Sequence, residues 1–481
     1  MKLHLLILSF LCAVLHADDR PNVILVMSDD QGWGQTGYYN HPHLKTPHLD
    51  EMAAHGLRLD RFYAGASNCS PTRATVMTGR TNDRTGVQNH GFPIRLQEKT
   101  IATALRDAGY STAHFGKWHL NGLRGPGVPV LKDDTHSPGE LGFDHWLTVT
   151  NFFDRNPVLS RMGEFEEFEG DSSEIVINEA LKFIGSKKAE GKPVFTVVWF
   201  GSPHSPMVAV DDDRTDFSDL KLDTQHHLGE LVAMDRSIGA LRKGLQDLEI
   251  AENTIVWFNS DNGGLAPYGP ETMGGLRGSK NQMYEGGLRV PCVIEWPKVI
   301  AGGRISKFPA GTVDIFPTIA EVAGLDPDKV ILQPYDGISL RQLFDTDIAR
   351  REKPLGFRHD NRGVIIDNEY KYLSLKGKEE LYHLEDDKTE SKNLAEVEPE
   401  VFSRLKTIYT QWNDGVEASV AGKDYPEGIV APNQPERRFW NTDPAYLPYI
   451  DLWKDRPEYK QWLNRSANQG KGKQKKKKKS Q

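Results

Sequence analysis

Val23-Ile24-Leu25-Val26-Met27-Ser28-Asp29-Asp30-Gln31-Gly32 decides how the chain is read. An unbroken apolar run lacks the alternation of a half-exposed strand and reads as a central parallel strand, buried on both faces. Two carboxylates follow it directly. In open α/β sheets, ligands gather beyond the carboxyl ends of the strands. Adjacent carboxylates there repel each other unless a cation or protons intervene, so Asp29 and Asp30 read as metal ligands rather than a solvated turn. Thr254 to Phe258 repeats the pattern and ends in Asn259-Ser260-Asp261-Asn262-Gly263. In one parallel sheet the two ends come together. Asp29, Asp30, Asp261 and Asn262 then offer hard oxygen ligands, which suit Ca²⁺ or Mg²⁺ rather than zinc.

Asn68-Cys69-Ser70-Pro71-Thr72-Arg73-Ala74-Thr75-Val76-Met77-Thr78-Gly79-Arg80 carries the second signal. Pro71 suits a first helical turn and Ser70 reads as its N-cap. A short helix is therefore expected from Thr72, with Cys69 just ahead of its start. That end presents free N–H groups and a partial positive charge, which favour an anion. Arg73 adds a planar fork suited to a tetrahedral oxyanion. A reactive group at such a helix start is the layout of a nucleophile facing an ester of a strong acid.

Strands and helices alternate along the rest of the first three quarters of the chain. Helices are expected from Thr46-Pro47 to about His55, from the Thr100 cap to about Ala108, from Asp171 to about Glu190, and over Leu228 to Leu248. Ser111 to Phe115 reads as a strand ending in Gly116-Lys117-Trp118-His119, and an extended chain there points Lys117 and His119 to one side. Val194 to Phe200 reads as another, ending in Ser202-Pro203-His204-Ser205-Pro206. By pattern alone His204 is equally a structural loop histidine or a site residue. Residues 121–170 read as a long irregular insertion facing substrate. From about 355, two strands joined across Asp367-Asn368-Glu369, a further strand and a helix over Val401 to Trp412 form a small α+β subdomain. The expected divisions are 18–354, 355–420, a wrapping extension over 421–470, and a lysine-rich solvated tail over 471–481.

With 481 residues, 38% hydrophobic and 26% charged, the composition is that of a globular protein with a large core. A formal net charge of -8 does not suit a nucleic-acid binder, though a local basic pocket can still hold an acidic substrate. Lys2, the apolar run Leu3 to Val14 and Leu15-His16-Ala17 read as a leader over 1–17, too short to span a bilayer, so the protein is expected to be exported from near Asp18. Cys69 and Cys292 are the only cysteines beyond Cys12 in that leader. Cys292 reads as a buried thiol at a strand. Asn464-Arg465-Ser466 matches a glycosylation pattern.

Cys69-Ser70-Pro71-Thr72-Arg73, followed by Met77-Thr78-Gly79-Arg80, resembles the signature of the type I sulfatase family, whose cysteine is oxidised to Cα-formylglycine. Gly116-Lys117-Trp118-His119, Leu276-Arg277-Gly278-Ser279-Lys280, Tyr284-Glu285-Gly286-Gly287-Leu288-Arg289 and Glu380-Leu381-Tyr382 to Asn393-Leu394-Ala395 resemble further blocks of that family, with Ser279 a mild departure. The resemblance runs over roughly Pro21 to Ala395 and is nearest to the arylsulfatase and N-acetylgalactosamine-6-sulfatase group. It implies an alkaline-phosphatase-like α/β fold, with a large mixed, mostly parallel central sheet flanked by helices and a small C-terminal α+β subdomain.

The resemblance also implies roles. A divalent metal on Asp29, Asp30, Asp261 and Asn262 would bind formylglycine at position 69 and a sulfate oxygen. The aldehyde hydrate would attack sulfur, with Asp261 accepting its proton and Arg73 stabilising it. Lys117 and Lys280 would hold sulfate oxygens. His204, with Lys280, would protonate the leaving alcohol, and His119 would take the proton that re-forms the aldehyde. Glu285 and Arg289 read as structural, and Asp314 as a helix cap. A sulfated glycan is the first substrate class and an aryl sulfate the second, with a formylglycine-generating enzyme as maturation partner and no nucleic acid or transmembrane segment. A phosphomonoesterase or phosphonate hydrolase on the same fold, and a non-catalytic sulfated-glycan binder, are the alternatives.

Overall fold

The computed structural model of the protein describes residues 19–460 and 462–464. The leader expected over 1–17, the lysine-rich tail over 471–481, and Arg465 and Ser466 of the glycosylation pattern lie outside the described residues. In chain order the strands are β1 (Asn22–Ser28), β2 (Leu57–Leu59), β3 (Phe62–Tyr63), β4 (Ser111–Lys117), β5 (Leu123–Arg124), β6 (His145–Val149), β7 (Val158–Arg161), β8 (Glu164–Glu167), β9 (Val194–Trp199) and β10 (Thr254–Ser260). They continue with β11 (Arg289–Val290), β12 (Cys292–Glu295), β13 (Arg304–Ser306), β14 (Ala310–Gly311), β15 (Leu355–His359), β16 (Arg362–Asp367), β17 (Tyr370–Leu375), β18 (Lys378–His383) and β19 (Arg438–Phe439). Ten of them form one sheet in the order β13-β2-β12-β10-β1-β9-β4-β6-β7-β8. The run β10-β1-β9-β4-β6 is parallel, and β12 and β7 join it antiparallel.

The apolar run of β1 divides its side chains between two cores. Val23, Leu25 and Met27 enter the core that also holds Ala74 and Met77 of α2 (Cys69–Thr78; α1 is Pro47–His55) and Ile101 and Leu105 of α3 (Ile101–Asp107). Ile24 and Val26 enter the opposite one, with Val176 and Ile184 of α4 (Ser172–Ala189) and Leu228 and Leu241 of α6 (Leu222–Asp247; the short α5 is Asp211–Arg214). A strand covered on both sides needs apolar residues at every position, and each such side chain stabilises by about 1.5–3 kcal/mol when buried. Register then aims the strand ends: Ser28 pairs with Ser260, and Met27 with Trp199. The residues after β1, β10 and β9 therefore emerge side by side, with those after β4 next in line.

Several expectations change in three dimensions. Residues 121–170 are not irregular: β6, β7 and β8 extend the main sheet to its edge. The α2 helix starts at Cys69, so its N-cap is Asn68 and not Ser70. Ser70 Oγ instead accepts the Gly91 N–H at 2.8 Å. The chain is not extended through His119, whose φ is +56°. Gly116 has φ +97°, and a Cβ there would lie 2.0 Å from the Trp199 carbonyl oxygen, so only glycine lets β4 pass β9 at this point. Thr100 does cap α3, accepting the Thr103 N–H at 3.1 Å. The helices expected over Leu228 to Leu248 and Val401 to Trp412 are longer, at Leu222–Asp247 and Pro399–Val420.

The antiparallel sheet β15-β16-β17-β18 packs one face on the Pro399–Val420 helix, through Ile365, Tyr372 and Leu405. Its other face meets Tyr63, Met283 and Leu288 of the main body. Farther along, Trp440, Tyr446, Trp453 and Tyr459 bury themselves against Leu123 and Val128. Cys292 lies on β12, fully buried and unbridged. No helix among the described residues is long and apolar enough to cross a membrane.

Candidate active site

The four strand ends deliver their residues to one place. After β1, Asp30 turns with φ +68°, and its N–H donates to Asp261 Oδ1 at 3.1 Å. Asn262 Nδ2 donates to Asp30 Oδ1 at 2.8 Å. From β4, the Lys117 ammonium pairs with Asp29 Oδ2. From the loop after β9, His204 Nε2 lies 3.8 Å from Asp30 Oδ2. Asp29, Asp30 and His204 each offer an atom within 4.8 Å of the others. Lys280, from the segment before β11, donates to Asp30 Oδ2 at 2.7 Å.

The α2 helix brings the nucleophile position and Arg73. All ten residues of this polar helix are buried, which their hydroxyls permit. Thr72 Oγ1 accepts the Ala66 N–H at 3.1 Å, Thr75 Oγ1 meets Thr312 Oγ1 at 2.6 Å, and Thr78 Oγ1 donates to the Ala74 carbonyl at 2.8 Å. Arg73 Nη2 lies 2.7 Å from Asp261 Oδ2 and 3.4 Å from Asp29 Oδ2, with the guanidinium over the Trp199 ring. Cys69 Sγ sits 3.3 Å from His119 Nδ1.

Each of the three carboxylates here has a cation, yet not every oxygen is used. Asp29 Oδ1 and Asn262 Oδ1 are buried with no hydrogen-bond partner, as is His119 Nε2. Bare buried oxygens converging from adjacent strand ends are the donor set a hard cation takes. Burial works against ionised Asp29, but Lys117, His204, Arg73 and Lys280 outweigh it and hold the carboxyl well below its ordinary range. Asp261 is pushed up by burial and by the Asp29 charge, against Arg73. A cation on these oxygens would remove that repulsion. Burial, then the Lys117 and Arg73 charges, keep His119 neutral. Burial and Lys280 hold His204 down at about 4, against Asp30 and Asp29. The Cys69 thiol is pushed up by burial.

Every site residue named from the sequence thus lies in one cluster, and Cys69, His119, His204 and Lys280 line a cavity of about 310 Å³. The same cavity has a wall the sequence did not announce: His90, Arg124, Asn151, Phe152, Phe439 and Trp462. Arg124, Asn151 and Phe152 fall in the 121–170 insertion expected to face substrate, and that placement is the one signal that could have found them. Phe152 stacks on the His204 ring at 4.6 Å, while His204 Nδ1 bonds the Ser205 carbonyl at 2.7 Å and leaves Nε2 toward the site. Glu285 belongs outside the cavity, paired with Lys371 at 3.0 Å and Arg289 at 3.6 Å. Asp314 caps the one-turn helix Thr312–Asp314 through the N–H of its N-cap residue Gly311, and makes no side-chain cap bond to the Ile315–Val322 helix that follows. Its carboxylate takes the Gly311 N–H at 2.8 Å and both Arg351 Nη groups, each at 2.8 Å.

The sequence model of the sulfatase family matches residues 21–325. N-acetylgalactosamine-6-sulfatase of Canis lupus familiaris is 33% identical over 361 residues, covering 67% of this chain and 66% of that protein. Human arylsulfatase A (Homo sapiens) is 30% identical over 358 residues, covering 66% of each. The match thus spans just under two thirds of these relatives' own length. Among solved structures, Ps i-CgsB in complex with k-i-k-neocarrahexaose superposes with a TM-score of 0.74 at 24% identity, over 86% of this chain and 95% of that one, and so shares the fold. Because the matched segment runs from β1 past Lys280 and takes in every residue of the charged cluster, the chain belongs to the sulfatase family.

Proposed function

We propose that this protein hydrolyses sulfate monoesters of a sulfated glycan, using an aldehyde made from Cys69 and a divalent cation, Ca²⁺ or Mg²⁺. The observation that carries the proposal is the place of Cys69. It opens a buried helix on the floor of a cavity, with His119 at 3.3 Å and two unpartnered oxygens in the adjoining acidic cluster. The glycan class follows relatives that act on N-acetylgalactosamine 6-sulfate by name and a cavity with aromatic walls. The leader-like N-terminus supports export, and maturation calls for a formylglycine-generating enzyme as partner.

The residues present meet what the reaction needs. Asp29, Asp30, Asp261 and Asn262 would hold the cation, which when bound neutralises charge on a sulfate oxygen. Converted to an aldehyde and hydrated, position 69 would supply the nucleophilic hydroxyl. Lys117 and Lys280 each spend one N–H on a carboxylate and keep others for sulfate oxygens. Arg73 fixes Asp261 and Asp29 in place. His204 presents Nε2 toward the leaving oxygen. An incoming sulfate brings negative charge beside it and raises its proton affinity, as a proton donor requires. Neutral His119 presents Nδ1 to position 69 and can take a proton from a hydroxyl there.

The test is mass spectrometry of the tryptic peptide 62–73 from protein co-expressed with a formylglycine-generating enzyme, followed by turnover of matched sulfate and phosphate esters. Conversion of Cys69 to the aldehyde with preference for the sulfate is the expected result. A retained thiol under those conditions, or preference for phosphate, overturns the proposal.

A further inference from the structure

The wall of the cavity opposite the acidic cluster has its own construction. The two-residue strands β5 and β19 pair in parallel, Leu123 with Arg438 and Arg124 with Phe439. This pairing sets the Arg124 guanidinium under the Phe439 ring, 4.6 Å from its centroid. Phe439 in turn packs on Trp462 at 5.2 Å. The stem of Arg124 crosses Gly91, where φ is +73° and a Cβ would lie 2.6 Å from Arg124 Cγ. Arg124 Nη2 donates to His90 Nε2 at 3.0 Å. His90 Nδ1 donates to Asn89 Oδ1 at 3.0 Å, and that oxygen also receives Asn68 Nδ2 at 2.8 Å, next to Cys69. The guanidinium is therefore held in place on three sides.

Its charge is not neutralised. Among the described residues Arg124 has no carboxylate partner, and neither has Arg437, which lies over Phe92 and reaches the His90 carbonyl at 3.5 Å. Every other cation at the site is spent on a carboxylate: Arg73 on Asp261, Lys117 on Asp29, Lys280 on Asp30. His90 adds no charge of its own, because burial and the charges of Arg124 and Arg437 keep it neutral. Beside Arg124, Asn151 gives Nδ2 to the Gly125 carbonyl at 2.6 Å and leaves its buried Oδ1 without a partner. A preorganised cation, a bare acceptor and two aromatic faces in one wall match an anionic sugar: carboxylate or sulfate on the guanidinium, a hydroxyl on Asn151, a ring against the aromatics.

We propose that Arg124, framed by Phe439, Trp462 and Asn151, binds a second anionic group of the substrate, carried by the sugar that adjoins the scissile sulfate ester. The proposal rests on the sulfatase reading for its scissile group and adds the substrate's second charge. In a protein of net charge -8, this unpaired site also gives the cavity mouth a local positive field that draws polyanions.

The experiment compares three sulfated disaccharides with the same scissile sulfate and a neighbouring unit that is neutral, a uronic acid, or itself sulfated. Matured wild type, Arg124→Gln and Arg124→Lys are assayed on each. Wild type is expected to prefer the anionic neighbours, and the arm that is preferred identifies carboxylate or sulfate. Arg124→Gln lowers that preference on the order of 30-fold, since a half-buried hydrogen bond to a charged group is lost, and Arg124→Lys lowers it several-fold by losing the fork. No preference in wild type, or an unchanged preference in Arg124→Gln, overturns the assignment. Should Arg124→Gln not fold, Arg124→Lys decides by the same criterion. Calorimetry on Cys69→Ala separates the two proposals. If no sulfate ester is turned over by wild type, yet Cys69→Ala binds the anionic disaccharide more tightly than the neutral one and loses that margin with Arg124→Gln, the subsite stands and the sulfatase reading falls.

Discussion

Asp29 and Asp314 are both carboxylates with no solvent exposure, each beside an arginine that is also fully buried. Around Asp314 every valence is filled. Oδ1 takes Arg351 Nη2 and the Ile338 N–H, and Oδ2 takes Arg351 Nη1 and the Gly311 N–H, all at 2.8 Å. Around Asp29 one oxygen carries the Lys117 ammonium and Arg73, and the other carries nothing. Between these two carboxylates, burial and charge do not separate site from strut, whereas unused hydrogen-bonding capacity does. A structural ion pair is closed on itself because leaving any member unpaired costs stability. A site tolerates the bare oxygen because a ligand completes it.

The largest effect should come from the open cluster. Cys69→Ala and Asp29→Asn should each lower turnover of a sulfate ester on the order of 10³-fold or more, the scale of losing a nucleophile or a transition-state electrostatic contact. Cys69→Ala should leave the thermal midpoint where it was, and a midpoint that falls with activity would make position 69 structural. Asp314→Ala should behave in the opposite way. It strands Arg351 in the interior and should cost about 3–5 kcal/mol in urea unfolding, while the protein that remains folded keeps its kcat. A kcat loss there would erase the contrast.

Calcium should stabilise the wild type by about 2.7 kcal/mol at a hundred times its dissociation constant, read as a rise in thermal midpoint over chelator-treated protein. Asp29→Asn should lose that rise, and an equal gain in both proteins would show that the bare oxygens are not ligands. An effect of similar size belongs to an intermediate case. Asp235 on α6 takes the His48 and Leu49 N–H groups at the start of α1, at 3.1 and 2.8 Å, with the His48 imidazole as the ionisable base near it. Burial pushes its carboxyl up to about 6, against the pull of those two donors. The folded carboxyl then holds its proton more tightly than the unfolded one, so its contribution to stability falls as pH rises from about 4 to about 6 and is level above that. Asparagine does not titrate. Asp235→Asn should therefore gain on wild type by about 3 kcal/mol at most across that window, and parallel stability curves would contradict the sign.

Much of the open cluster could be seen in the sequence because each piece is local. An apolar run followed at once by acids, repeated at Thr254 to Phe258, predicts both the buried strands and the meeting of Asp29, Asp30, Asp261 and Asn262. Pairing of β1 with β10 and β9 makes that meeting a matter of register. Lys117 and His119 were placed on one side by strand alternation, yet His119 comes from a left-handed turn, with its N–H on the Thr150 carbonyl at 2.9 Å. The start of α2 was misplaced because a Ser-Pro pair imitates a cap, while the Ser70 hydroxyl serves Gly91 instead. Strands β6 to β8 are only four or five residues long and lie between Gly-, Pro- and charge-rich stretches, so pairing with β4 and with one another, not a long apolar run, defines them.

By itself the sequence determined which strands are central, which acids follow them and which cysteine opens a helix, since those depend on neighbours a few residues apart. Only the tertiary structure decided which buried charges are closed and which are open. It also decided that Arg124 lies under Phe439, because two-residue strands have no periodicity to read and exist only where the folded body brings them into register. The valence left on a polar atom is a property of everything packed around it, and distant segments supply most of that.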